Sequence, residues 1–310
     1  EKLFYTFDQE NFKSIPNYAF GYWFSEHMLS IFKRERIYSI AKTAQGIATG
    51  DNGRFVRNWH EVSFNDVGLY YKSRQEAQSS GTKWFPYNKG GNYRKWYGNQ
   101  ELVVNWYNDG EEIKENRDEN GKLRSRPQNL DLLFKPSIIL SLISSSFGCG
   151  FRYNPNASIF DVNGMSLFPF DSTQFYSIIA SLNNIITTKV CNLINPTMAL
   201  QSGDVAKVVV LKDESKQNEI DDIAKCSISL SKQDWDSHET SWDFKRNPII
   251  EEQLQVFVDN MAEIMPNMTV DDITDYHAPE LLQPISILVD NYKAKWDDLF
   301  HQLHHNEEEI

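Results

Sequence analysis

The chain has 310 residues, a formal net charge of −12 and three cysteines, with 40% hydrophobic and 24% charged residues. That length buries a sizeable core in one large domain or two modest ones, and the composition is that of a soluble globular protein. Cys149, Cys191 and Cys226 lie far apart with no CxxC, which argues against a disulfide framework or a zinc site; no signal peptide or long apolar run predicts a membrane span, so a reducing, cytoplasmic location is expected.

The charge is unevenly spread. Residues 1–210 carry 23 Lys and Arg against 20 Asp and Glu, whereas residues 211–310 carry 8 against 23. The acidic total therefore hides a mildly basic first part, which leaves room for a cationic face and an anionic partner.

Residues 1–40 begin aromatic and irregular, with a turn at Ile15-Pro16-Asn17. Ser25 is placed to cap a short helix through Lys33, with Glu26 favourable in its first turn. The chain opens at Glu1 without an initiator Met, so this part also reads as a linker or helical lead-in continuing a longer protein. In the next stretch, Ile47 suits a buried strand end and Thr49-Gly50-Asp51-Asn52-Gly53 is a tight turn. Arg54–Trp59 reads equally as a strand or a helix start. Arg54 and Arg57 leave a loop whose N–H groups can face an anion, or else are solvated arginines beside a plain turn. Residues 60–82 are polar and partly helical.

The stretch Lys83–Trp106 has the densest mix of cationic and aromatic side chains in the chain. Gly90-Gly91 favours a turn, and Leu102–Trp106 has a strand bias, so the stretch predicts a β-hairpin with Lys89, Arg94 and Lys95 near its tip. Such a tip can meet a phosphate backbone and stack on bases; the plainer reading is an aromatic hairpin folded onto its own core, and Trp84, Trp96 and Trp106 are expected to be mostly structural. Asn108-Asp109-Gly110 is a turn signal. Glu111–Gln128 is charged, has no apolar face, and predicts a mobile loop that carries Lys122, Arg124 and Arg126.

Beyond it, Ile138–Ile143, Phe151–Tyr153 and Ser158–Val162 read as short strands, with turns at 147–150 and at Asn163-Gly164. Residues 83–170 thus predict about five strands in an antiparallel sheet. Asp171-Ser172 caps a helix through Asn184, a second helical or mixed segment reaches Asn195, and Val205–Leu211 is a last strand. From Asp213 onward helices are expected at 214–234, 249–265 and 279–304, with acidic faces. The fold class is α+β: an antiparallel-sheet-rich domain at 41–211 followed by an acidic helical region at 212–310.

The common chemical signatures are missing. There is no P-loop, HExxH, GxSxG or GxGxxG. Cys149 between two glycines follows an apolar strand without a basic partner and reads as structural. His301 and His305 have metal-like i,i+4 spacing but sit at a polar helix end. Asp234/Asp236 and Asp271/Asp272 read as solvated acids or caps. The chain by itself does not look like a catalyst.

Several stretches, taken in order, resemble one family: GYWFSEHM at 21–28, TGDNGRFVRNWHEV at 49–62, KWFPYNKGGNYRKWYGNQELVVNWYNDGEEI at 83–113 and SRPQN at 125–129. They continue with the 134–169 segment beginning FKPSIILS, QSGDVAKVVV at 201–210 and DWDSHETSWDF at 234–244. Together they are similar to the C-terminal half of the PglX-type adenine-specific DNA methyltransferases of bacterial BREX phage-defence systems. The resemblance implies a parent enzyme that uses S-adenosylmethionine and flips its target adenine into an NPPY-type pocket. Neither NPPY nor a glycine-rich cofactor motif occurs in this chain, so no cofactor is expected in it. What remains is a target recognition domain with the start of a helical region.

The partners the resemblance implies are double-stranded DNA, the catalytic methyltransferase domain of the same parent chain and other BREX subunits, and no membrane. The residues expected to contact DNA are Asn52, Arg54, Arg57, Lys83, Asn88, Lys89, Asn92, Arg94, Lys95, Arg124, Arg126 and Lys135. Of these, Lys83, Arg94 and Lys95 are expected on one exposed face with Arg54 or Arg57. Two other readings stay open: a protein-interaction scaffold, and a carbohydrate-binding β domain with an exposed platform of tryptophans.

Overall fold

The computed structural model describes residues 7–141, 149–155, 158–197, 199–264 and 283–310. The chain divides into two compact units, one running to Lys232 and the other comprising Gln233–Glu309. The α+β expectation holds, with antiparallel sheets in the first unit and helix in the second.

The first unit opens with α1 (Glu26–Ser30), whose N-terminus is capped by the Ser25 hydroxyl accepting from Met28 N–H at 3.2 Å. After α2 (Ile37–Ile40), the chain lays down β1 (Ala41–Ala44), α3 (Asn52–Phe55), β2 (Val56–Asn58) and α4 (Arg74–Ser79). β3 (Trp84–Asn88) and β4 (Leu102–Asn105) follow, then α5 (Tyr107–Lys114). β5 (Ser137–Ser141), β6 (Phe151–Asn154), β7 (Ile159–Phe160) and β8 (Gly164–Pro169) complete the sheets. Asp171 accepts from Thr173 N–H to start the turn into α6 (Phe175–Asn183), and α7 (Ile185–Ile194), α8 (Ser202–Val205) and α9 (Gln217–Asp236) come next. In the second unit, α10 (Pro248–Ile264) packs against α11 (Ile285–Glu309).

One antiparallel sheet was expected over 83–170; the strands form two. Their orders are β1-β8-β5-β6 and β2-β4-β3-β7, and β3 pairs with β7 in parallel through Tyr87↔Ile159 and Asn88↔Phe160. Pro86 lies inside β3 where the pairing passes from β4 to β7. A residue without an N–H is tolerated at such a changeover. β5 is buried at all five positions, which accounts for its unbroken apolar run. Leu142, Ile143, Phe147 and Gly148, read as the strand's end and the following turn, lie outside the described residues.

Two other expectations are corrected. Val205–Leu211 is not a strand: α8 takes its start, and Val209 makes a single bridge to Arg36. Val205, Val208, Val209 and Val210 are buried all the same, and the backbone is tied to the 35–38 segment: Val208 C=O accepts from Ile37 N–H and Val210 N–H donates to Glu35 C=O. Glu111–Gln128 is not a loose loop either. Its first part is helix α5, and its remainder turns tightly at 118–121, where the Asp118 carboxylate accepts from Asn120 and Lys122 N–H, both at 2.9 Å.

The two sheets meet at a seam of close backbone approach. Asn88 C=O accepts from Asp161 N–H at 2.8 Å, and the Asn88 side chain donates to Gly164 C=O at 3.2 Å. A Cβ on Gly164 would lie 2.3 Å from Asn88 C=O, and one on Gly46 only 1.7 Å from Phe160 C=O. Tyr87 donates its hydroxyl to the buried Asp161 carboxylate beside this seam. Burial first, and then Asp161, raise the Tyr87 phenol well above its ordinary range, so it stays a donor. Below lies an apolar cluster in which Phe85 and Phe134 stack edge to face at 5.5 Å, with Trp106, Ile113, Phe55 and Phe160 around them.

The start of α5 is held by one carboxylate. Asn108, Asp109 and Gly110 all take left-handed φ values of 48°, 59° and 72°. Asp109 is mostly buried and accepts from Arg74 Nε at 3.0 Å and Nη2 at 2.5 Å, from Trp106 Nε1 at 3.3 Å, and from Lys114. Burial alone would raise the Asp109 carboxyl; the hydrogen bonds from Arg74 and Lys114 outweigh it and hold the group below its ordinary range.

Two predictions follow from these contacts. Gly46→Ala is expected to cost about 3 kcal/mol or more, because the new methyl meets an immovable carbonyl, whereas Gly203→Ala, with nothing within 4 Å, is expected to leave stability unchanged or higher; equilibrium urea unfolding compares them. Asp109→Asn keeps a residue that tolerates left-handed φ and removes the charge, and should cost about 2 kcal/mol at pH 7. The depressed carboxyl stabilises fully above its unfolded value near 3.8 and loses that contribution as pH falls through the lower folded value. The gap between wild type and Asp109→Asn should therefore close below about pH 4 in acid unfolding curves.

Candidate nucleic-acid interface

The Thr49–Gly53 turn is built by its own polar side chains. The Thr49 hydroxyl donates to the Asn52 side-chain carbonyl at 2.8 Å, and the Asp51 carboxylate accepts from Arg54 N–H at 3.0 Å to cap α3. The segment 116–129 is strapped along residues 45–49 by five hydrogen bonds. Ala48 and Arg126 exchange backbone bonds at 3.0 and 2.8 Å. Asn116 donates to Thr49 C=O at 3.0 Å, Gln128 to Gly46 C=O at 2.7 Å and Asn129 to Gln45 C=O at 2.9 Å. This strap brings exposed Arg124 and Arg126 beside the turn that presents exposed Asn52 and Arg54.

Arg54 is ion-paired with Glu112 at 2.6 Å, and both side chains are about half exposed. The Arg54 hydrogen bond holds the Glu112 carboxyl below its ordinary range, with Lys83 adding a smaller favourable field. An exposed pair of this kind is worth roughly 0–1 kcal/mol, so a phosphate can displace the carboxylate. Arg57 is differently placed. Its Nη1 donates to Gly53 C=O at 2.6 Å and Val56 C=O at 2.7 Å, which spends the guanidinium on its own turn.

The hairpin expectation holds for the strands and fails for the tip. β3 and β4 pair through Trp84↔Asn105, Phe85↔Val104 and Pro86↔Val103, but residues 89–101 do not project into solvent as a bare turn. They add themselves to the free edge of β6: Trp96 N–H donates to Phe151 C=O at 2.8 Å, and Tyr153 N–H donates to Trp96 C=O at 2.7 Å. Trp96 and Tyr97 are buried. Asn92 and Tyr93 remain exposed, while Lys89, Arg94 and Lys95 are half-buried, with Arg94 Nε donating to Tyr97 C=O at 3.0 Å.

The register also divides the cations. Lys83 and Arg54 lie at the Asn105 end of the strand pair, whereas Lys89, Arg94 and Lys95 lie beyond Asn88, about 17 Å away along five residues of strand. The cations expected on a single face with Arg54 or Arg57 are thus set apart along the strand pair, Lys83 at one end and Arg94 and Lys95 past the other. Asn88 does not face outward: it is buried, and its amide is spent at the sheet seam. Lys135 is exposed next to the buried Phe134.

Of the three tryptophans the platform reading needs, Trp96 and Trp106 are each 1% exposed and Trp84 is half-buried, so they form no joint exposed platform. Cys149 and Cys191 are buried free thiols. Among the described residues, no cluster of three His, Cys, Asp or Glu could hold a metal ion, and no helix is long and apolar enough to cross a membrane.

No protein-family model matches the chain. It is 34% identical over 309 residues to the adenine-specific methyltransferase PglX of Lacticaseibacillus casei (strain Zhang), covering 99% of this chain and 23% of that protein. It is 33% identical over 246 residues to the adenine-specific methyltransferase BrxX of Escherichia coli O9:H4 (strain HS), covering 78% of this chain and 19% of that one. The chain thus spans less than a quarter of the length of these curated relatives.

Proposed function

We propose, from a chain that corresponds along 99% of its length to part of a PglX-type adenine-specific methyltransferase, that it is the C-terminal target recognition portion of such an enzyme. It reads a double-stranded site for N6-adenine methylation by a catalytic domain outside this sequence, which binds S-adenosylmethionine. The similarity carries this reading. The arrangement of the first unit supports it. A recognition surface needs cations for phosphates and amides or arginines for base edges, held on a rigid frame. The turn with Asn52 and Arg54, fastened to the strap with Arg124 and Arg126, supplies that combination, and the 89–101 connection offers a second group in Asn92, Arg94 and Lys95.

Lys83 and Lys135 are placed to add long-range attraction. Arg57 and Asn88 serve the frame. The acidic helices at 212–310 would repel DNA, and we assign them to contacts with the catalytic domain or other BREX subunits. A protein-interaction scaffold remains the second reading, favoured by that acidic part.

In the full-length methyltransferase, the double substitution Arg124→Ala/Arg126→Ala should weaken binding to its target fragment. It should also flatten the slope of log K against log salt by about two, roughly one for each lost phosphate contact. An unchanged slope and unchanged affinity would move the DNA contacts away from the strap and favour the scaffold reading.

A further inference from the structure

Arg152, which sequence reasoning passed over as one residue of a short strand, is the side chain that shapes the second cationic group. It is 1% exposed, on β6, between the two backbone bonds that Trp96 makes to that strand. Its Nη2 donates to Gly90 C=O and to the Ser141 hydroxyl, both at 3.2 Å, and its Nη1 donates to Arg94 C=O at 3.3 Å. Nε has no hydrogen-bond partner among the described residues, and no carboxylate there acts on the guanidinium. Burial, and secondarily Arg94, push its pKa down to about 10, so it is still charged at neutral pH.

A buried, carboxylate-free guanidinium is a poor device for stability alone. Desolvating an ion costs several kcal/mol, and only three neutral acceptors offset it here. A planar fork, however, can hold two carbonyls of one loop at a fixed separation, which an ammonium or an apolar side chain cannot. The loop so held turns through positive φ at Gly90, Gly91, Gly98 and Asn99, which these residues accept, and at Trp96 (φ 66°), where the left-handed backbone is costly for a bulky side chain.

We propose that Arg152 is the positioning residue of the recognition surface: by gripping the carbonyls of Gly90 and Arg94 it fixes the path of the 89–101 connection and hence where Asn92, Arg94 and Lys95 meet the target. Its uncompensated charge beneath the connection also strengthens the field that draws in a phosphate. The proposal rests on the target recognition reading above.

The test uses the full-length methyltransferase with Arg152→Met and Arg152→Lys, and with Arg124→Ala/Arg126→Ala as an independent check. Affinity is measured for a DNA fragment carrying the enzyme's own methylated motif and for one with the motif scrambled; amide exchange is followed at Trp96 and Tyr153. Arg152→Met should lower affinity for the motif at least tenfold, leave scrambled-fragment affinity within about threefold, and speed exchange at both amides. Arg152→Lys should fall between Met and wild type. Faster exchange with an unchanged motif-to-scrambled ratio overturns the positioning role. So does an equal loss on both fragments, which marks mere unfolding; if the Met variant does not fold, the Lys variant decides by the same ratio. If the Arg124/Arg126 variant binds both fragments like wild type and the Arg152 variants do too, the recognition reading itself fails. If only the Arg152 variants are silent, the clamp alone fails.

Discussion

The first unit depends on one constraint: the free edge of β6 is closed by the connection between β3 and β4 and by Asn183 at the end of α6. A bare edge strand leaves unpaired N–H and C=O groups and invites other chains to add to it. Here Trp96 pairs with Phe151 and Tyr153 from one side, and the Asn183 amide both donates to and accepts from the Phe151 backbone at 2.9 Å. With the edge closed, the β3–β4 connection becomes part of both sheets. The seam at Asn88, Gly164, Gly46 and Phe160 then locks them at a second point, where the glycines let backbone approach closely and the Asn88 amide bonds across.

From that frame the functional reading follows by what is left over. Most aromatic rings of the cationic stretch are taken into the core: Phe85, Tyr87, Trp96, Tyr97 and Trp106 are buried, while Trp84 is half-buried and Tyr93 exposed. The cations that accompany them are carried at the rim, in two groups separated by the length of β3. Two separated cationic groups on one compact unit suit a long polyanion better than a small anion, which would need them convergent. The strap that fastens Arg124 and Arg126 does so through backbone and amide bonds, leaving the guanidinium groups outside the frame.

Local chemistry was legible in the sequence. Ser25 and Asp171 cap where their hydroxyl and carboxylate permit, and helix fills most of 214–234, 249–264 and 285–304, while 265 and 279–282 of the expected helices lie outside the described residues. Long-range register was not. Nothing local indicates that β7 pairs in parallel with β3, or that Arg54 meets Glu112 across 58 residues. The run at 205–211 is β-branched and buried, yet its backbone bonds go to residues 35–38, and composition cannot tell that from a strand. Arg152 was invisible for a related reason. A lone arginine in a short strand ordinarily faces water, and here the carbonyls of Gly90 and Arg94 from the returning connection and the Ser141 hydroxyl receive it.

The central claim is that this portion of the protein chooses the DNA site. It is tested most directly by exchanging residues 41–211 between two full-length PglX-type methyltransferases that modify different motifs, and sequencing the methylated adenines in host genomes. The account predicts that the methylated motif travels with the exchanged segment. A methylated motif that stays with the recipient's remaining sequence would contradict it.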